Sequence, residues 1–197
     1  MATRRNPRFK ECRRLGVNVC GHPKALDRSQ SPAFKKTKKT SDYGLHLIEK
    51  QKVKAYYGIL EKQLRRYFEQ AAKSKEMTGV ALLVALETRL DNLVYRLGFA
   101  SSIRMARQMV SHKHILVDGK CVNIPSFAVK VGSTISLTEN AKKSEQFKKT
   151  FLSDSKARIE YLEREDDNFK GKLTRLPQRT EIPVEINDQM VVEYYSK

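Results

Sequence analysis

The sequence predicts an α+β protein: a mostly helical domain, a helix pair that runs into a small antiparallel sheet, and an extended basic N-terminal arm. Three observations carry this reading. Apolar residues recur at helical spacing between Leu45 and Leu97. Two β-rich runs then flank Asp118-Gly119, a dipeptide that strongly marks a tight hairpin. Residues 1–44 hold 12 Lys/Arg against 3 Asp/Glu, with few apolar side chains and with Pro7, Pro23 and Pro32.

In the arm, Gly16 and Gly21 join the prolines in interrupting any long helix, and the segment ends in Lys35-Lys36-Thr37-Lys38-Lys39. It cannot bury enough surface to offset its ordering entropy, so it is expected to order on a partner. Ser41 and Asp42 are candidate helix N-caps. Residues 45–73 are free of proline, and Leu60, Leu64 and Phe68 recur at i, i+4, i+8. After Met77-Thr78-Gly79 a second helix is expected over residues 80–97. Its core face holds Leu82, Leu83, Leu86, Leu90, Leu93, Val94 and Leu97. Gly98 suits a left-handed C-cap, with Phe99 closing the apolar contact behind it. Ser101 or Ser102 then caps a short helix with Ile103, Ala106, Met109 and Val110 inside. Its outer face presents Arg104, Arg107, Gln108 and Ser111 at i, i+3, i+4, i+7. Residues 115–117 and 120–122 form the hairpin strands, and a third strand covers residues 134–137. Beyond Asn140, helix is expected over residues 142–165 and short strands over residues 172–176 and 190–195.

Apolar residues make up 40% of the 197, enough for one large domain or two small ones. The formal charge of +17 is unevenly spread, because residues 151–197 hold 8 basic and 10 acidic side chains. A positive field confined to the first three quarters of the chain favours a polyanion. The opening MATRRNPRFK has the charge of a secretory signal without its apolar core. The longest apolar run, residues 80–86, is far short of the roughly 20 residues of a membrane span. Three cysteines, an odd number, argue for a reducing compartment, so the cytoplasm is the expected location and no membrane is a partner. No glycine-rich phosphate loop or Ser-His-Asp order is present. Arg89, Asp91, Asn92 and Arg96 lie together without a nucleophile, so they read as structural and no catalysis is expected. His112 and His114 lack a third metal ligand and read as RNA contacts by stacking or hydrogen bonding or, alternatively, as structural residues of the helix-to-strand turn, while Cys121 reads as a core thiol.

Residues 86–123 resemble the S4-type RNA-binding domain. The flanks extend the likeness: Ser41-Asp42-Tyr43-Gly44, Glu49-Lys50-Gln51-Lys52-Val53-Lys54 and Tyr57-Gly58-Ile59-Leu60-Glu61 on one side, Val192-Glu193-Tyr194-Tyr195-Ser196-Lys197 on the other. Between them stand the blocks from Arg89 to Phe99 and from Ala106 to His112. Together these resemble the bacterial-type small-subunit ribosomal protein S4 family over nearly the whole chain. Many members bind structural zinc through four N-terminal cysteines, usually beginning with a Cys-x2-Cys knuckle. Here Phe9 stands where the first of that pair would precede Cys12, and no fourth ligand follows Cys20 and His22 before the lysine run. A zinc-free variant with no cofactor is therefore expected.

The resemblance implies an S4 domain with its following helices (87–173) inserted into a helical domain (45–86, rejoined by the tail 174–197), behind the basic arm (1–44). It implies a structural constituent of the cytoplasmic small ribosomal subunit. Such a protein binds the 5′ domain of 16S-type rRNA at a helix junction early in assembly. Lys36 and Lys39 would lie where messenger RNA enters the subunit. The C-terminal region would meet neighbouring small-subunit proteins, such as the S5 family, and influence decoding accuracy. The expected rRNA contacts are Arg4, Arg5, Arg8, Arg13 and Arg14 in the arm, then Lys50, Lys54, Arg65 and Arg66. In the S4 domain they are Arg104, Arg107, Gln108, Ser111, His112, Lys113 and His114. The alternative is a stand-alone S4-domain RNA-binding protein or an RNA-modifying enzyme, although too few residues remain for a β-rich catalytic domain. The hairpin after the helix pair argues against a helix-turn-helix DNA regulator.

Overall fold

The computed structural model describes residues 6–27, 41–152, 159–166 and 168–196. Expectations placed on Arg4, Arg5, Lys36 and Lys39 lie outside the described residues. The chain divides into two compact units, Met1–Leu82 with Pro183–Lys197, and Leu83–Ile182. In chain order the helices are α1 (Arg8–Leu15), α2 (Asp42–Tyr56), α3 (Glu61–Ala71), α4 (Thr78–Glu87), α5 (Leu90–Arg96) and α6 (Ile103–Ser111). Strands β1 (Ile115–Val117), β2 (Lys120–Cys121) and β3 (Thr134–Leu137) precede α7 (Glu139–Lys142) and α8 (Glu145–Leu152). Strands β4 (Leu162–Glu165) and β5 (Lys170–Leu173) and helix α9 (Asp188–Ser196) complete the fold. Among the described residues, no helix is long and apolar enough to cross a membrane.

In the first unit, part of the segment read as extended is helical. Cys12 and Leu15 share one face of α1 and are buried, and Gly16 ends the helix at φ 70°. The Ser41 hydroxyl caps α2 by accepting from the Gly44 N–H at 3.3 Å. The helix-favouring stretch 45–73 becomes two helices, because Gly58 turns the chain at φ 59° while Tyr57 and Ile59 bury themselves. The strand expected over residues 190–195 is also corrected: it lies within α9. The Asn187 side chain caps the Met190 N–H at 3.2 Å. Val191 is buried, and Tyr195 packs on Phe68 with ring centroids 4.7 Å apart. Helical spacing of these apolar contacts overrides the β-propensity of Val-Val-x-Tyr-Tyr.

In the second unit, the single helix expected over residues 80–97 breaks at Thr88-Arg89. Arg89 is extended (φ −68°, ψ 140°) and bridges Ala128. The backbone bonds there go to a loop: Leu90 N–H donates to Phe127 O at 2.9 Å and Asp91 N–H to Pro125 O at 3.0 Å. In return, Thr88 O accepts from Val129 N–H at 3.0 Å. Neither Pro nor Gly causes the break; satisfied tertiary hydrogen bonds do. Gly98 ends α5 at φ 84°, with Phe99 N–H donating to Val94 O and Gly98 N–H to Tyr95 O, the paired bonds of a left-handed cap. The predicted stripe is the core: Leu90, Leu93, Val94, Leu97 and Phe99 are all buried, each contributing about 1.5–3 kcal/mol.

The sheet is wholly antiparallel in the order β2-β1-β3-β5-β4. Asp118 (φ 49°) and Gly119 (φ 76°) make the expected tight hairpin turn. Ile115, Val117, Ile135 and Leu137 alternate inward. At the centre, Gly171 lets β5 approach α5: a Cβ there would meet the Leu97 side chain at 2.5 Å. Two expectations change here. Residues 162–165 are strand and not helix, with Glu163 opposite Lys172 and Glu165 opposite Lys170, pairs that favour the antiparallel ladder. Cys121 is exposed, because β2 is a two-residue strand at the edge of the sheet.

Candidate nucleic-acid interface

Helix α6 builds the most defined basic face. The Ser102 hydroxyl caps it by accepting from Met105 N–H at 3.3 Å. Ala106, Met109 and Val110 are buried, which forces Arg104, Gln108 and Ser111 outward, where all three are exposed. The helix closes on Lys113, which takes the left-handed conformation (φ 61°) that glycine would hold without strain. Lys113 N–H donates to Val110 O and His114 N–H to Met109 O, both at 3.0 Å. His112 and Lys113 are thereby left at the surface. His114 turns inward and packs on Phe147 at 5.4 Å between ring centroids. Exposed Arg and Lys next to hydroxyl and amide donors suit phosphate and ribose oxygens.

Arg107 has a second task. Its guanidinium meets Asp91 through Nη2 at 2.7 Å and Nε at 3.2 Å, and its side chain is 18% exposed. Asp91 is fully buried and also accepts from Arg89 Nε at 3.0 Å and Nη2 at 2.7 Å. One buried carboxylate therefore joins the turn before α5 to the basic face of α6. A second network adjoins it through Asn92, whose N–H donates to Asp91 Oδ1 at 3.0 Å. Glu87 accepts from Arg96 Nη2 at 2.7 Å, from the Asn92 amide and from the Tyr161 hydroxyl at 3.2 Å. Burial, reinforced by the Glu87 charge, pushes the Tyr161 phenol far above its usual range. Arg89, Asp91, Asn92 and Arg96 are thus scaffold, as their grouping in the sequence suggested. The reach of Asp91 to Arg107, 16 residues away, left no sequence signal.

The first unit commits two expected contacts internally. Lys50 is buried, 3.1 Å from Glu61 Oε1 and over the Tyr194 ring at 4.2 Å. Lys54 reaches Glu61 Oε2 at 2.8 Å, and the Tyr195 hydroxyl donates to Glu61 Oε1 at 2.8 Å. Burial alone would raise the Glu61 carboxyl, but hydrogen bonds from Lys54, Tyr195 and Lys50 outweigh it and hold it at about 2. Arg65 and Arg66 are exposed on α3, Arg65 lying 3.4 Å from Glu69 one turn away. On α1, Arg8 and Arg14 are exposed and Arg13 is half-buried.

The cysteine segment is packed as apolar structure. Phe9 lies against the His22 ring at 5.0 Å, and His22 Nδ1 already accepts from Lys24 N–H at 3.2 Å. Cys12 is fully buried; that burial, with a side-chain hydrogen bond to Cys20, raises its thiol. Among the described residues, no group of three or more His, Cys, Asp or Glu could hold a metal ion.

The site is thus a helix pair bearing Arg and Lys, running into a hairpin and locked from behind by buried ion pairs. The sequence pattern of the S4 domain matches residues 88–135, and that of the Ribosomal protein S4/S9 N-terminal domain matches residues 3–87. Over its whole length the chain is 52% identical to the small ribosomal subunit protein uS4 of Finegoldia magna, covering all of that protein. It is 49% identical to uS4B of Clostridium acetobutylicum and 48% identical to uS4 of Amoebophilus asiaticus, again with full coverage of both chains. The chain belongs to the uS4 family of small ribosomal subunit proteins, a structural and non-enzymatic family.

Proposed function

We propose that the protein is a structural constituent of the small ribosomal subunit that binds the 5′ domain of small-subunit rRNA at a helix junction. The reading is carried by the exposed Arg104, Gln108, Ser111, His112 and Lys113 on one locked corner of a chain whose full-length relatives are named small ribosomal subunit proteins. Arg65 and Arg66, with Arg8 and Arg14, supply further phosphate contacts. Double-stranded RNA is read by shape, phosphates and 2′-hydroxyls, so junction shape sets selectivity. A rigid presenting corner is what such reading requires, and the Asp91–Arg107 pair supports it.

The same reading puts the protein early in subunit assembly, with Lys36 and Lys39 near the path of messenger RNA. Its C-terminal region faces a neighbouring small-subunit protein of the S5 family, with an effect on decoding accuracy. The test is equilibrium binding to the 5′-domain junction against an equal-length continuous duplex across a salt series. Preference for the junction at physiological salt supports the reading. Equal binding to both, vanishing together as salt rises, removes it and leaves only a basic polyanion binder.

A further inference from the structure

The loop between β2 and β3 exposes apolar surface that the packing of the fold does not explain. Ile124 is 51% exposed and Phe127 37%, while their neighbours Pro125 and Val129 are buried. Phe127 N–H donates to Ile124 O at 3.0 Å, closing a tight turn through Pro125-Ser126. Proline is favoured at the second position of such a turn, and the closure brings the first and fourth residues side by side. Ile124 and Phe127 therefore form one small apolar ridge.

The ridge is held rigid. Backbone bonds from Leu90 to Phe127, from Asp91 to Pro125 and from Val129 to Thr88 tie the loop to the break between α4 and α5. Two of these bonds are accepted by residues of the turn itself, Pro125 and Phe127, and one is donated by Asp91. Asp91 is also where Arg107 arrives from α6, at 2.7 Å. The loop and α6 are thus both tied to Asp91, the loop through its backbone N–H and Arg107 through its carboxylate. No Asp or Glu occurs from Gly119 to Thr138, whereas Lys120 and Lys130 are exposed there. A single aromatic ring with one aliphatic neighbour, on a loop bonded to the residue that also holds Arg107 and carrying lysines without an acidic side chain, matches one unstacked base.

We propose that Phe127, supported by Ile124, is a stacking platform for an unpaired nucleotide of the RNA held by α6. It makes the corner prefer a junction to an uninterrupted duplex. The inference rests on the RNA-binding reading above and adds the residue that confers the preference. Stacking of a base on an aromatic side chain tolerates any base, so the platform selects for an unpaired nucleotide and not for its identity. Because the turn is already fixed, little ordering cost accompanies binding.

The experiment titrates the full chain with 5′-domain junction RNAs from which each unpaired nucleotide is deleted in turn, alongside a continuous duplex. Phe127→Ala is expected to weaken binding of the intact junction about tenfold. It should match wild type on the RNA lacking one particular nucleotide, and leave duplex affinity and salt dependence unchanged. Phe127→Tyr should retain junction binding. Ile124→Ser, with its half-exposed side chain, serves as a second variant should Phe127→Ala lower the melting temperature. Wild-type affinity of both Phe127→Ala and Ile124→Ser for every RNA would overturn the platform alone and leave the ridge to a protein neighbour. An equal loss on junction and duplex would overturn it too. Failure of the wild-type chain to prefer the junction would remove the underlying reading with it.

Discussion

Each of the two units clamps basic side chains around a carboxylate, but at different depths and with different cations. In the first, Glu61 is 45% exposed and gathers Lys50, Lys54 and the Tyr195 hydroxyl. In the second, Asp91 is wholly buried and gathers Arg89 and Arg107. The type of cation follows the depth of the acid. Arginine is the more weakly hydrated, offers a planar fork of donors and remains charged when dry, whereas lysine is a strongly hydrated point charge. Both clamps take basic residues out of the field that a charge count assigns to a ligand. They differ in what happens when the acid is removed: Asp91 leaves two guanidinium groups around a site closed to water, while Glu61 leaves Lys50 and Lys54, themselves little exposed, around a site open to solvent and beside an aromatic ring.

The largest expected effect breaks the deeper clamp. Asp91→Ala should destabilise the protein by roughly 3–5 kcal/mol, because two guanidinium groups lose a buried partner. Asp91→Asn, which keeps an acceptor, should cost less. Denaturant unfolding measures both. The contrast between the units fails if Glu61→Ala proves as costly as Asp91→Ala.

A middle-sized effect separates exposed cations from clamped ones. Arg104→Ala should weaken RNA binding about fivefold near 0.15 M salt and reduce the salt slope by about one, as expected for one lost phosphate contact. Lys54→Ala should leave that slope unchanged, its ammonium being held by Glu61 at 2.8 Å. A salt-series titration reads both. Equal slopes lost by the two variants would mean that Lys54 leaves its clamp when RNA arrives. The double change Arg104→Glu with Arg107→Glu is no clean probe of the interface, since the new carboxylate at 107 would face the buried Asp91.

Legibility in the sequence follows the range of the interactions involved. Short-range signals were readable: the Asp118-Gly119 turn, the Gly98 cap, the Ser102 cap and the leucine stripe on α4 and α5 all stand where their spacing implied. What failed was set by distant partners. The break at Thr88-Arg89 is written in carbonyls of residues 125 and 127, and the helical state of residues 190–195 depends on Lys50 of α2 and Phe68 of α3. Charges on the candidate face were readable as an i, i+3, i+4, i+7 pattern, but the diversion of Arg107 to Asp91 was not. Lys113 was readable as basic, while its left-handed backbone carried no glycine to announce it.

The smallest effect sharpens the shallower clamp through pH. The Glu61 carboxyl lies at about 2 in the fold against an ordinary value of 4.5. The folded state therefore holds the ionised form more strongly than the unfolded chain does. The stability this confers is fully present above about pH 4.5 and is lost as pH falls through that value toward 2. Glu61→Gln keeps a hydrogen-bond acceptor for Tyr195 but cannot carry charge. At neutral pH it should be less stable than wild type by about 0.5–1 kcal/mol, a value discounted for the solvent exposure of the pair. The two melting curves should converge as the solution is acidified, because wild type then loses what the variant never had. Comparing the pair cancels other titrating groups, including Glu181, which Arg175 also holds at about 2. A constant gap across the acid range would show that Glu61 acts by packing and hydrogen bonding, and that only the buried clamp is electrostatic.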